Sequence, residues 1–190
     1  MSATIRMLVG AAFTSAAFAQ APGDPAPLLA AQREAMKAFA MMDGVWRGPA
    51  WTMLPSGEKR NVVQTERIGP FLQGTVRVIE GRAYREDGSV GFNALGIISY
   101  DPAKKSFNLH SYALGHSGDF ALQPTPDGYV WEIPQGPDAL IRYTATIKDN
   151  TLREVGDRIA GSRPPVRFFE MTLTRIGDTD WPAANPVPPR

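Results

Sequence analysis

Several strand-like segments carry one charged side chain among apolar or β-branched neighbours, and these side chains are the first candidates for chemistry. They are Glu66, Arg77, Glu80, Glu132, Arg142, Glu154 and Glu170. A charged group that faces the interior of a β-protein must pair or bind water, because an isolated buried charge is costly. Interior arginine and carboxylate groups would suit the polar head group of a small molecule. The alternative for each residue is the solvent face of an alternating strand.

Three of these residues, Arg142, Glu154 and Glu170, fall on consecutive predicted strands and form the preferred head-group anchor. An aromatic residue and two further polar groups on the strands complete the set. The predicted ligand-binding residues are Trp46, Glu66, His110, Arg142, Glu154 and Glu170.

The two histidines, His110 and His116, offer little for metal binding or nucleophilic catalysis. On one straight strand they would lie roughly 20 Å apart, so they cannot share a metal ion. Ser111, His110 and Asp119 can be grouped as a triad, but no nucleophile elbow surrounds them. The chain has no cysteine, which excludes thiol catalysis, thiolate metal sites and disulfides. The sequence therefore predicts no catalytic residue and no metal site.

The elements that must position these side chains begin at Gly44, where runs rich in Val, Ile, Thr and aromatic residues replace an alanine-rich leader. Gly, Pro, Asp and Asn interrupt the runs at regular intervals, as in the turn Pro126-Asp127-Gly128. The predicted strands span residues 45–54, 60–68, 72–84, 90–100, 106–114, 118–123, 129–133, 140–148, 152–159 and 166–176. Because no helical segment separates them, a meandering antiparallel sheet is expected.

An open sheet of ten strands would expose two long edges, and closure into a barrel removes them. The predicted fold class is therefore all-β, an antiparallel up-and-down barrel of about ten strands with one N-terminal helix. That helix, at 28–42, has an apolar stripe suited to covering one end of the barrel. If Trp46 points inward, then Ala50 and Thr52 share its face while Arg47 and Trp51 lie on the other.

The remaining segments define the domain organisation. Residues 1–19 have the anatomy of a signal peptide: Arg6 precedes a short apolar stretch, and Ala17-Phe18-Ala19 fits the small-x-small cleavage rule. Residues 20–27 form a Pro-rich linker, 28–177 the helix and barrel, and 178–190 a Pro-rich tail whose Trp181 is expected to pack on the barrel wall. The mature protein is expected in the periplasm or outside the cell.

Bulk composition excludes several partners. The 190 residues include 43% hydrophobic and 21% charged side chains, which suits a single domain with a substantial core. Basic and acidic residues nearly balance, at 20 and 19, and no basic run exists to gather nucleic acid. The apolar stretch of the leader is shorter than the ~20 residues of a membrane span. The sequence does not indicate an oligomeric state.

The order of several motifs resembles the calycin superfamily, which includes lipocalins and fatty-acid-binding proteins. Gly44-Val45-Trp46 after a short helix carries this likeness, and the segments 92–101, 142–147 and 169–175 are similar to uncharacterised exported bacterial barrels. The resemblance implies a ten-stranded lipocalin-like fold, a cavity and an inward-pointing Trp46. Arg142-Tyr143 on a late strand resembles the carboxylate-anchoring arginine of fatty-acid-binding barrels, which makes Arg142 the best single candidate for a ligand anchor. The related nitrobindin-like barrels bind heme through a histidine late in the chain. The last two strands here have no histidine, so heme is not expected and no cofactor is predicted.

Three hypotheses for function follow. The first is an exported barrel that binds a small apolar or amphipathic molecule inside, with the helix as floor or lid. The second is an enzyme that uses interior carboxylates and Arg142 in acid–base chemistry on a small substrate. The third is a barrel filled by its own side chains that docks a partner on its outer face. An interior cavity would separate the first two hypotheses from the third.

Overall fold

The computed structural model describes residues 23–181. The predicted signal peptide and residues 182–190 of the predicted tail lie outside the described residues. Helix α1 spans Ala26–Met36, and a 3₁₀ helix over Lys37–Met42 continues it. The helix therefore includes the last two residues of the predicted linker, because proline is tolerated in the first turn, where its missing N–H has no helical partner.

Ten strands follow the helix, and the prediction of their number and order is confirmed. They are β1 (Gly44–Met53), β2 (Lys59–Phe71), β3 (Val76–Tyr84), β4 (Val90–Asp101), β5 (Ser106–Ala113), β6 (His116–Thr125), β7 (Gly128–Pro134), β8 (Ala139–Lys148), β9 (Thr151–Ala160) and β10 (Val166–Gly177). Each strand pairs antiparallel with the next, and β1 also pairs with β10, so the sheet closes into a barrel. Closure leaves no strand edge among these ten unpaired.

One predicted strand begins later than expected. The sequence pattern places residues 72–75 in the third strand, but Leu72–Gly74 form a 3₁₀ turn and β3 begins at Val76. Leu72 and Gln73 both have positive φ, 48° and 59°, a conformation that no strand adopts and that apolar composition alone does not reveal.

The helical segment closes one end of the barrel. Met36, Phe39 and Met42 are buried in the same core as residues from both ends of the strand series. The Trp46 indole Nε1 donates a hydrogen bond to the carbonyl of Met42 at 2.9 Å, and the ring of Phe39 meets Phe107 edge to face with centroids 5.0 Å apart. We call residues 36–46 with their buried contacts the plug, because they fill this end of the barrel.

An ion pair fastens the plug to β3. Arg77 points inward and donates from Nε and Nη2 to the two carboxylate oxygens of Asp43 at 2.8 and 3.0 Å, and from Nη1 to the carbonyl of Met36. Arg175 donates to the carbonyl of Asp43 at 3.2 Å from β10. Arg77 is thus an interior charge whose hydrogen bonds are used within the plug.

The start of the C-terminal tail packs on the barrel wall, as predicted for Trp181. Its ring meets Phe71 edge to face with centroids 5.5 Å apart, and Arg67 lies over the same ring. Within residues 23–181, no helix combines the length and apolar character needed to cross a bilayer.

Candidate ligand cavity

A cavity of about 620 Å³ occupies the barrel interior on the far side of the plug. Its floor is apolar and includes buried side chains such as Ile68, Ile98 and Leu152. Its mouth lies at the opposite end of the barrel, where the lining includes exposed residues. These are Arg60, Arg85, Leu114, His116 and Ser117. The barrel is therefore closed at one end and accessible at the other.

One side of the cavity is built from aromatic rings that pack against one another, which we call the aromatic wall. The wall consists of Phe120, Trp131, Tyr143, Phe168 and Phe169. Trp131 and Tyr143 are stacked with centroids 4.3 Å apart and planes 8° from parallel. A Cβ added at Gly156 would lie 2.9 Å from Tyr143 and 3.1 Å from Phe168, so the missing side chain gives these rings their room.

Glu66 projects from β2 into the cavity and is only 8% exposed. The Gln64 side-chain amide donates a hydrogen bond to its Oε1 at 2.6 Å. Gly81, its partner on β3, makes space for the carboxyl group, because a Cβ there would lie 2.8 Å from Oε1 and 3.0 Å from Oε2. The carboxyl group is therefore seated against a bare stretch of backbone.

Glu154 reaches the same cavity from β9 and is 7% exposed. The hydroxyl of the buried Tyr129 donates a hydrogen bond to its Oε2 at 2.6 Å. Leu152, two residues before it, also lines the cavity, and Gly156, two residues after it, is buried on the same face against Tyr143 and Phe168. Glu66 and Glu154 are the two acidic residues in the described lining, and we call them the carboxyl pair.

Burial raises the pKa of both carboxyl groups to values near neutral pH. Desolvation raises the pKa of Glu66 from 4.5 to about 8; the bond from Gln64 opposes this rise, and the charges of Glu154 and Glu80 add to it. Desolvation likewise raises the pKa of Glu154 to about 7, against the opposing hydrogen bond from Tyr129. Burial and the nearby Glu154 raise the pKa of Tyr129. Near pH 7 the carboxyl pair can therefore both donate and accept a proton.

The structure brings two of the six predicted ligand-binding residues, Glu66 and Glu154, into the cavity. Trp46 points inward as expected, but it lies in the plug rather than in the cavity lining. His110, Arg142 and Glu170 are not among the lining residues.

These three side chains lie on the outer face of the barrel, where each contacts a partner of its own. His110 meets Asp119 at 2.9 Å, Arg142 donates to Glu132 at 2.7 Å, and Glu170 accepts from Arg153 at 2.8 Å. The predicted anchor of Arg142, Glu154 and Glu170 is consequently not formed. The grouping of Ser111 with His110 fails for the same reason: Ser111 lines the cavity, and adjacent residues of a strand face opposite ways.

Sequence reasoning did not single out Gln64, Gly81 or Tyr129 for the site. A usable signal exists for Gln64, since it alternates with Val62, Glu66 and other inward residues of β2. Gly81 carries no such signal, because its role depends on a neighbour on another strand. Among the described residues, no group of three or more acidic, histidine or cysteine side chains is placed to hold a metal ion.

Comparisons with known proteins give a fold and no family. No protein-family model matches the chain, and no curated protein sequence matches it. The crystal structure of Rv2717c from M. tuberculosis is similar with a TM-score of 0.56 at 13% sequence identity, covering 74% of this chain and 96% of that one. At this identity the likeness concerns the barrel fold alone.

Proposed function

We propose that this protein is an exported, lipocalin-like barrel that binds a small apolar or amphipathic molecule in its interior. The observation that carries the proposal is the cavity of about 620 Å³, well above the ~300 Å³ at the lower end of small-molecule sites. A barrel filled by its own side chains would lack this volume. The cavity thus favours a binding function over a purely structural one.

The distribution of polar groups also supports binding. Small-molecule sites are mostly apolar with a few polar groups that orient the ligand. Here the apolar floor and the aromatic wall surround the buried carboxyl pair. Such a cavity stabilises the body of a ligand by excluding water and fixes one polar end.

Export is part of the proposal and rests on residues 1–19, with Arg6 before the apolar stretch and a small-x-small site ending at Ala19. Mass spectrometry of the protein recovered from its host is expected to show a mature N-terminus at Gln20 in the periplasm or medium. Recovery of the uncleaved chain in the cytoplasm would contradict export.

A second candidate is an enzyme in which Glu66 and Glu154 transfer protons. General acid–base groups work best with a pKa near the operating pH, and burial brings both carboxyl groups close to that range. Arg142 has no place in this version, because it pairs with Glu132 on the outer face. Polar residues with raised pKa values in a cavity suit both candidates.

Native mass spectrometry of protein purified from its host tests the binding proposal. A co-purifying small molecule is expected, and thermal-shift screening against amphipathic and aromatic compounds should give stabilising hits. An apo spectrum together with no stabilising compound would contradict it. Recovery of a chemically altered compound after incubation, with loss of that conversion in both Glu66→Gln and Glu154→Gln, would favour the enzyme.

Hemin belongs in the same screen as a negative probe. We expect no Soret shift, because His110 faces outward and the described lining places its histidine, His116, at the exposed mouth. A shifted band that disappears in His116→Ala would show heme binding instead.

A further inference from the structure

The deep part of the cavity offers one kind of charged group. Glu66 and Glu154 are the ionisable acids of the described lining, and both are more than nine-tenths buried. The arginines of that lining, Arg60 and Arg85, are exposed at the mouth. Arg77 also points inward, but its guanidinium group is bound to Asp43 and the Met36 carbonyl in the plug.

Glu66 has one carboxyl oxygen without a hydrogen-bond partner among the described residues. Its Oε1 accepts from Gln64, whereas its Oε2 accepts no hydrogen bond from the described residues. No side-chain oxygen or nitrogen atom in the described part of the chain is both fully buried and without a partner. Oε2 therefore retains surface within the cavity, where a ligand donor can reach it. No described basic side chain forms an ion pair with either member of the carboxyl pair.

We propose that the cavity binds a protonated amine carried on a flat apolar body, with the ammonium group against the carboxyl pair and the body against the aromatic wall. This inference rests on the proposed binding function and assigns a ligand class to it. The amine supplies N–H donors to Glu66 Oε2 and a positive charge to a site that lacks one. An interior Arg142 would instead have required a ligand with an anionic head group.

The chemistry of the wall supports the same assignment. An ammonium group is attracted to the faces of Trp and Tyr rings, and the charge of Glu154 acts on Tyr143, so the carboxyl pair and the wall belong to one region. A ligand carboxylate at this depth would find no cationic partner among the described lining residues, and the ionised forms of Glu66 and Glu154 would repel it. The arginines at the mouth would repel an ammonium group there and favour the orientation with the amine inward.

Three probes of similar shape test the assignment: the cation of 2-(1-naphthyl)ethylamine, the neutral 2-(1-naphthyl)ethanol and the anion 1-naphthaleneacetate. Each is titrated by calorimetry at about pH 8. The amine is expected to bind at least about tenfold more tightly than the other two, which corresponds to one ion-pair-sized difference in binding. Glu66→Gln should remove most of that preference while the affinity for the alcohol changes less than about threefold. Glu170→Gln, on the outer face, is the matched control and should retain the preference.

The outcomes separate this inference from the function on which it rests. Equal or tighter binding of the alcohol or the acetate overturns the amine assignment and leaves the binding function in place. No binding of these probes, combined with no hit in the wider screen, overturns both. An amine preference that survives in Glu66→Gln, or in Glu154→Gln if Glu66→Gln does not fold, overturns the placement of the ammonium group against the carboxyl pair. Thermal melts of the two variants verify folding, and either variant alone suffices if the other does not fold.

Discussion

The carboxyl group of Glu66 changes its proton affinity when the chain folds, and this change links stability to pH. Its pKa rises from 4.5 to about 8 because burial disfavours the charged form. The folded state therefore holds a proton that the unfolded state has released between these two values. The stability that the protonated Glu66 contributes to the folded state is fully present below about pH 4.5 and is lost as the pH rises through about 8. Glu154 acts in the same sense over a narrower range.

Glu66→Gln should consequently flatten the pH dependence of unfolding. The neutral amide can still accept the bond from Gln64, and we expect the variant to exceed the wild type in stability at about pH 9 by on the order of a few kcal/mol. Urea unfolding at about pH 6 and pH 9 measures the difference. Glu170→Gln is the control, because its carboxylate is paired with Arg153 outside the barrel. A slope for Glu66→Gln parallel to that of the control would contradict the prediction.

The face occupied by each charged residue was readable from its own strand in most cases. Arg142 alternates in phase with Thr144 and Thr146, which marks its side of β8 as the outer one, whereas Glu154 alternates with the buried Leu152. Reasoning from lone charges treated these residues alike and so placed Arg142 inside. What no single strand encodes is the contact between strands, such as the space that Gly81 leaves for Glu66.

At the scale of elements, the attachment of the plug to β3 is expected to contribute strongly to stability. Arg77→Met should destabilise the fold by roughly 2–4 kcal/mol, because it leaves the partly buried Asp43 carboxylate and the Met36 carbonyl without their donor. Arg142→Met is the matched control: its ion pair with Glu132 is exposed, and such pairs are worth about 0–1 kcal/mol. Urea midpoints compare the two. Equal losses would show that the pair does not fasten the plug.

The pairing of β7 with β8 depends on the absence of a side chain at Gly128. A Cβ there would lie 1.9 Å from the backbone oxygen of Ala145, and a backbone atom cannot rotate away as a side chain can. Gly128→Ala should destabilise the protein by about 3 kcal/mol or more. Gly177→Ala, where nothing lies within 4 Å of the added Cβ, should change stability by less than about 0.5 kcal/mol. A similar urea midpoint for both variants would refute the role of this close approach.

Element boundaries were predictable because turn residues punctuate the strands. Pro126-Asp127-Gly128 and the other polar breaks place strand ends within a few residues of those observed. Irregularities inside the sheet were not predictable. The register shift in β10 between Arg167 and Phe169 allows both Phe168 and Phe169 to line the cavity, although strict alternation would send one of them outward.

At the scale of the whole molecule, closure followed from the strand pattern, whereas the cavity was implied only by the resemblance to the calycin superfamily. Ten strands without intervening helices leave few alternatives to a barrel, and a ten-stranded barrel is wider than the eight-stranded kind that side chains can fill. Whether the extra width stays open depends on summed side-chain volumes. Small residues at Ala94 and Ala113, paired across β4 and β5, help to keep their part of the cavity open here.

Filling that part of the cavity should abolish binding without harming the fold. Ala94→Phe adds a ring next to Gly81 and Ala113, where the cavity has room, so we expect the affinity for any interior ligand to fall at least about tenfold. Stability should stay within about 1.5 kcal/mol of the wild type, since the new ring gains contacts as it displaces space. Ala121→Phe, at an exposed position of β6, is the matched control and should bind as the wild type does. Calorimetry with the compound that gives the largest thermal shift measures the effect. Unchanged affinity in Ala94→Phe would place the ligand outside the barrel, and the interior-binding function would fall with it.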